Sequence, residues 1–292
     1  YVKKPGEHGE PPEILDAGAN PPRGVVLHYL LPADQTDTVT IRIFADENGG
    51  ALIREYSSGT AVEDEPKPAV TAGAHRLIWD LRVDPAVRVE GSESNPWEVT
   101  APMVPPGRYR VDLTAGGSTD SVHVTILPDP RARTGEESAP EGARAAFSLA
   151  IQIRDAVSQA QGRVNYIRAL RRDMEMWVKR ANGHPAERRL QEAFQAAKES
   201  LERVEGLLIQ TRGTGPDDDL QFPPRLNAQL QYLIGVIESG DGPPTAQTRA
   251  AFENLSKELQ AALSALASAQ AEQVAEFSRV LQEAQLPLLP ND

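Results

Sequence analysis

The chain has no cysteine. That absence removes disulfide stapling, thiol catalysis and thiolate metal ligation together, and it suits an oxidising or a cytoplasmic compartment equally. Positive charge is also scarce: 30 Lys and Arg stand against 42 Asp and Glu, a formal net charge of −12. A nucleic-acid partner needs a clustered positive field, so this balance argues against one. No run approaches the roughly 18 apolar residues of a membrane span. The opening YVKKPGEHGEPPE has neither an initiator Met nor an apolar signal core. A processed product or a piece of a longer protein is therefore expected.

Chemical signatures are missing as well. No G-x-S-x-G, no Walker loop and no H-E-x-x-H occurs. The histidines His8, His28, His75, His123 and His184 form no pair at helical ligand spacing. No metal and no cofactor is expected.

What remains is structural patterning. At 292 residues there is room for two cores, and 40% hydrophobic with 25% charged residues is ordinary globular composition. Composition changes near residue 130. Before it lie most prolines and alternating β-branched residues; after it come Ala, Gln, Glu, Arg and Leu. The Pro-rich, charged stretch around 129–143 reads as a linker. An extended N-terminal segment (1–20), a strand domain (21–128) and a helical domain (144–292) complete the division.

In the first half, Val39, Ile41 and Ile43 alternate with Thr40 and Arg42, and Asn48-Gly49 offers the positive φ of a tight hairpin. Leu77 and Trp79 share a face, as do Val122, Val124 and Ile126. The stretch MVPPGRYRVDLTAGG, residues 103–117, contains glycines, yet a phosphate-cradling loop needs a helix N-terminus directly after them. Here an alternating run follows, so Tyr109, Val111 and Leu113 form a half-buried strand and Gly116-Gly117 a hairpin. Six or seven such strands without helical period imply an antiparallel sandwich.

The second half switches to period 3.6. Ile153, Val157, Ala160, Val164, Ile167, Met174 and Val178 make a seam, with Arg171 where one seam position falls. Pro185 suits a first-turn position before Leu190, Phe194, Ala197, Leu201, Val204 and Leu208. A shorter helix carries Leu226, Leu230, Leu233 and Ile237, and Thr245 caps a last helix running past Leu281. Short connections favour antiparallel neighbours, so an elongated four-helix bundle is expected, with Gly162 a place for the first helix to bend.

The candidate sites each have a structural alternative. Asp217, Asp218 and Asp219 offer carboxylates to calcium, but consecutive residues splay their side chains, and a solvated loop is the competing explanation. Trp97 and Tyr29 are aromatics able to stack on a sugar ring; as packing anchors they need no ligand. Asp80 and Asp112 are carboxylates without an evident cleft.

Two resemblances attach to these motifs. Val39, Ile41, Ile43 and Phe44, then Gly73, His75, Trp79 and Asp80, then Gly107, Tyr109 and Val111 resemble the Ig-like domain of bacterial flagellar hook-capping proteins and its secreted relatives. PPRGVVLHYLLP, APMVPPGRYRVDLTAGG, RRDMEMWVKR and RLNAQLQYLIGVIESGDGPPTAQTR are similar to the C-terminal region of bacterial sortilin-like β-propeller proteins, which are labelled glycosyl hydrolases with neuraminidase-type repeats. That resemblance implies an exported protein (periplasmic, cell-surface or secreted). It implies an Ig-like sandwich and helical bundle in a non-catalytic accessory role, with a propeller as partner. Association of two bundles as a homo-oligomer is a further expectation. A carbohydrate-binding module contacting glycan through Trp97, Trp79 or a tyrosine such as Tyr29 is the competing class, and a hydrolase with carboxylates converging in a cleft between the two domains is a third.

Overall fold

The structure, a computed structural model, describes residues 3–4, 13–14, 21–46, 50–60, 65–91, 101–129, 139–212, 222–240 and 242–286. Six antiparallel strands in two sheets precede four helices. Two-residue strands β1 (Lys3–Lys4) and β2 (Glu13–Ile14) pair with each other ahead of them. The six are β3 (Val25–Leu31), β4 (Thr40–Ala45), β5 (Leu52–Ser57), β6 (Gly73–Trp79), β7 (Gly107–Ala115) and β8 (Ser118–Ile126). Contacts divide the chain into two compact units. One comprises Tyr1–Leu81 and Arg110–His123, the other Arg82–Tyr109 and Val124–Asp292.

In the strand unit, β3 pairs with β6 from Val25↔Trp79 to Leu31↔Gly73, and the other sheet runs β5-β4-β7-β8. Alternation chooses the buried faces. Leu31, Leu77, Trp79, Val39, Ile41, Ile43, Tyr56 and Val111 are buried, while Arg42 and Arg76 between them are exposed. Gly24 permits one close approach: at φ +125 a Cβ there would lie 2.2 Å from the Trp79 carbonyl oxygen, so only glycine fits. The expected turn residues Asn48 and Gly49 lie outside the described residues, although Gly50 beside them has φ +74. The outermost strand β8 differs from its pattern. Val122 is 54% exposed, and Val124 and Ile126 are half-buried; among the described residues β8 pairs with β7 alone.

The helices are α1 (Ala139–Arg180), α2 (Glu187–Leu208), α3 (Leu226–Glu238) and α4 (Ala246–Ala269), the last continuing through a π turn into α5 (Ala275–Ala284). Helix α1 starts inside the stretch that composition marks as linker, and it runs unbroken past Gly162 for about 63 Å at 1.5 Å per residue. Pro185 is not in the first turn of α2. It sits in a turn that ends when Glu187 begins the helix and accepts a bond from the Gly183 N–H at 2.7 Å. Thr245 caps α4 as its hydroxyl type allows, accepting from the Thr248 N–H at 3.1 Å.

Helix α1 packs on α2, α3 and α4, and the seam from Ile153 to Ile167 enters one apolar cluster with Leu201, Leu230 and Leu259. Met174 joins a second cluster with Leu190, Phe194, Phe277 and Val280. The π turn explains how the last helix serves both. From buried Ala269 to buried Phe277 is one residue more than two α-helical turns hold. Gln270–Val274 absorbs the surplus in i→i+5 bonding and returns Phe277 to the buried side. No described helix is long and apolar enough to cross a membrane.

Candidate functional site

The most organised polar constellation of the helical unit lies along α1. Arg154, Ser158, Asn165 and Arg168 each follow directly after a seam residue: Ile153, Val157, Val164 and Ile167. They therefore form a hydrogen-bonding row beside the apolar row. The extended segment Arg82–Gly91 lies against this row. Arg154 donates to the Asp84 carbonyl at 2.8 Å, and the Ser158 hydroxyl accepts from the Val87 N–H at 3.2 Å. Asn165 makes a paired contact, donating to the Arg88 carbonyl and accepting from the Glu90 N–H, both at 2.8 Å. Arg168 donates to the Glu90 carbonyl at 3.2 Å.

The row and the segment match in length and direction. From Asp84 to Glu90 an extended chain rising about 3.1 Å per residue covers about 19 Å. From Arg154 to Arg168 the helix rises about 21 Å at 1.5 Å per residue. Both run from low number to high, so the segment is parallel to α1. Its contacts repeat every third residue: Val83 is buried, and Ala86 and Val89 pack on the apolar cluster, while Val87 is 49% exposed. That is the period of a polyproline-type helix and not of a strand, and Pro85, with φ fixed and no N–H to satisfy, suits it. Further along, Glu238 at the end of α3 accepts from the Met103 N–H at 2.8 Å and from Arg82 at 3.1 Å.

A buried carboxylate underlies the row. Glu205 of α2 is 4% exposed and receives Arg168 at 2.7 Å and Arg171 at 2.9 Å; Arg171 also reaches Glu202 at 2.9 Å. This accounts for an arginine at a seam position: it is a half-buried cation paired with two carboxylates. Arg168 joins the carboxylate to the segment's backbone, so the two features share a side chain.

The strand unit has its own polar cluster. Arg54 donates to Glu65 at 3.0 Å, Thr60 donates to the same carboxylate at 2.9 Å, and the Arg54 guanidinium lies 4.8 Å from the Tyr56 ring centre. Burial pushes the Tyr56 phenol above the ordinary tyrosine range, against the opposing pull of Arg54. The cluster holds residues 60 and 65 to β5.

Of the residues singled out from sequence, Tyr29 is half-buried. Its hydroxyl accepts from the Ala69 N–H at 2.7 Å, and its ring is tilted against His75 at 5.4 Å. Trp97 and Asp217, Asp218 and Asp219 lie outside the described residues. Trp79 is fully buried and offers no sugar platform. Asp112 is engaged by Arg110 at 3.0 Å and Ser121 at 2.8 Å. Among the described residues, no group of three or more His, Cys, Asp or Glu is placed to hold a metal ion. The row on α1 was missed from sequence, although polar residues one place after successive seam positions were its signal. Compared with known proteins, the chain matches no family model and no curated protein sequence.

Proposed function

We propose that this chain is a non-catalytic accessory region of an exported protein, built to hold polypeptide and dock a neighbouring domain, with a β-propeller as the partner that the motif resemblance implies. In the same reading its two sheets form an Ig-like sandwich and its helices an antiparallel four-helix bundle. The observation that carries the proposal is the grip of α1 on Arg82–Gly91, made through main-chain groups by Arg154, Ser158, Asn165 and Arg168. A helix face that spends its polar side chains on another segment's backbone is a polypeptide-holding surface.

Other features support the same reading. Tyr109, near the start of β7, donates its hydroxyl to the Pro105 carbonyl at 2.6 Å, the upstream backbone bond by which a tyrosine corner braces Ig-like domains. Both sheets contribute buried faces, Leu77 and Trp79 from one and Ile41, Ile43 and Tyr56 from the other. Glu205 and Arg171 are consumed by structural pairing. Strand β8 leaves a nine-residue outer edge without proline or lysine, the kind of edge to which a further strand adds.

Mass spectrometry of the protein isolated from its native source tests the proposal. Propeller peptides, covalently continuous or retained after cleavage, are the expected result. Glycan binding by the isolated chain that is lost in Tyr29→Ala, or hydrolysis of a glycan by it, would overturn the accessory role.

A further inference from the structure

Helix α3 carries one charged side chain, Glu238, at its last position. A helix without charge on any side is ordinarily covered on every side. The fold covers α3 on one side only. Leu226, Leu230, Leu233, Ile234 and Ile237 are buried, whereas Gln229, Tyr232, Gly235 and Val236 are exposed on the opposite side. Tyr232 is 72% exposed, the most exposed tyrosine among the described residues.

Gly235 narrows the question. A glycine in mid-helix weakens the helix relative to alanine. A Cβ at 235 would meet nothing within 4 Å, and the backbone there is helical, so nothing in its own chain calls for glycine. Gly162 and Gly206 also have open space, but both are half-buried; of the three, Gly235 alone is exposed.

A hollow beside a projecting ring, on one uncharged face, is self-complementary. Tyr232 and Gly235 lie about 4.5 Å apart along the axis at 1.5 Å per residue. A two-fold axis midway between them crosses two antiparallel α3 helices so that each ring lies over the other's glycine, with Val236 beside it. We propose that this face docks a second copy of this chain, α3 against α3, through reciprocal Tyr232–Gly235 contacts.

Charge argues for a second copy on this face. Each copy has a formal net charge of −12, so two copies repel and meet best where charge is absent. Residues 226–237 carry none, and Glu238 beyond them is already paired with Arg82 at 3.1 Å. A charged peptide or an anionic surface finds nothing there to pair with. The contact is one helix long, well short of a permanent interface, so the dimer is weak and reversible.

Sedimentation of the full chain over a concentration series tests this, with Gly235→Glu and Tyr232→Ala alongside. The unaltered chain is expected to rise toward twice the monomer mass. It should do so more readily at high salt, because salt screens the repulsion between like-charged copies. Gly235→Glu fills the hollow and adds charge, yet glutamate is the better helix former, so the helical signal in the far ultraviolet is kept. Both variants should raise the dimer dissociation constant at least about tenfold, as loss of a central aromatic contact does. A monomer at every concentration and salt overturns the proposal. So does a dimer that both variants leave intact, which uses another face, or one that salt weakens, which is held by ion pairs.

Discussion

The two units secure their irregular segments by the same device on different scales. In the strand unit, residues 69–72 are held by the Tyr29 hydroxyl on the Ala69 N–H and by Asp34 on the Ala72 N–H, both at 2.7 Å. In the helical unit, a row spanning about 21 Å of one helix does the same for residues 84–90. Strands offer a side chain to one face only at every second residue, and theirs are spent on the core. A helix has room for a polar row beside its apolar one. The difference shows why the extended grip lies on α1, beside a buried carboxylate paired with two arginines.

This contrast can be tested by removing what each unit relies on. The largest effect is expected in the strand unit: Trp79→Ala, at a fully buried position, should cost about 4 kcal/mol in denaturant unfolding. Most of the helical signal in the far ultraviolet should survive it. Next comes Glu205→Ala in the helical unit, where losing the carboxylate leaves Arg168 and Arg171 facing a core without their main partner. About 3 kcal/mol is expected, below the upper range for buried pairs because both arginines retain some solvent contact. A cost near zero would show that the arginines simply turn to water. Thr245→Ala removes the cap of α4 and should cost about 1 kcal/mol, read as a lowered thermal midpoint.

The smallest effect concerns Tyr56. Its folded-state pKa is raised by burial, so the folded chain keeps the phenolic proton after the unfolded chain loses it. Its contribution is therefore complete below the unfolded value of about 10 and declines as pH rises from there through the folded value. Ultraviolet absorbance of phenolate should show a late-titrating component, and Tyr56→Phe should reduce it.

The sequence carried much of the fold. Alternation at Ile41, Ile43 and Val111 and the three-four stepping from Ile153 to Ile167 are direct consequences of burying one face, so the elements could be read before any coordinates. Val122 misled because alternation records which residues share a face and not whether anything covers it. The π turn escaped for a related reason: Phe277 fits an apolar count by eye, and only the register with Ala269 exposes the surplus residue. Arg82–Gly91 is hardest to read from sequence. Its apolar residues recur at three, a period belonging neither to strand nor to α-helix, and its bonds come from residues far along the chain.

Amide hydrogen exchange of Asn165→Ala beside the unaltered chain tests the grip of α1 most directly. Asn165 binds two main-chain groups of the segment, and its loss should cost about 1–2 kcal/mol locally. That corresponds to roughly a tenfold loss of protection at Glu90 and its neighbours, with exchange in β4 and β7 unchanged. Unchanged protection across 84–90 in the variant would show that apolar packing alone holds the segment, and the main-chain grip would be wrong.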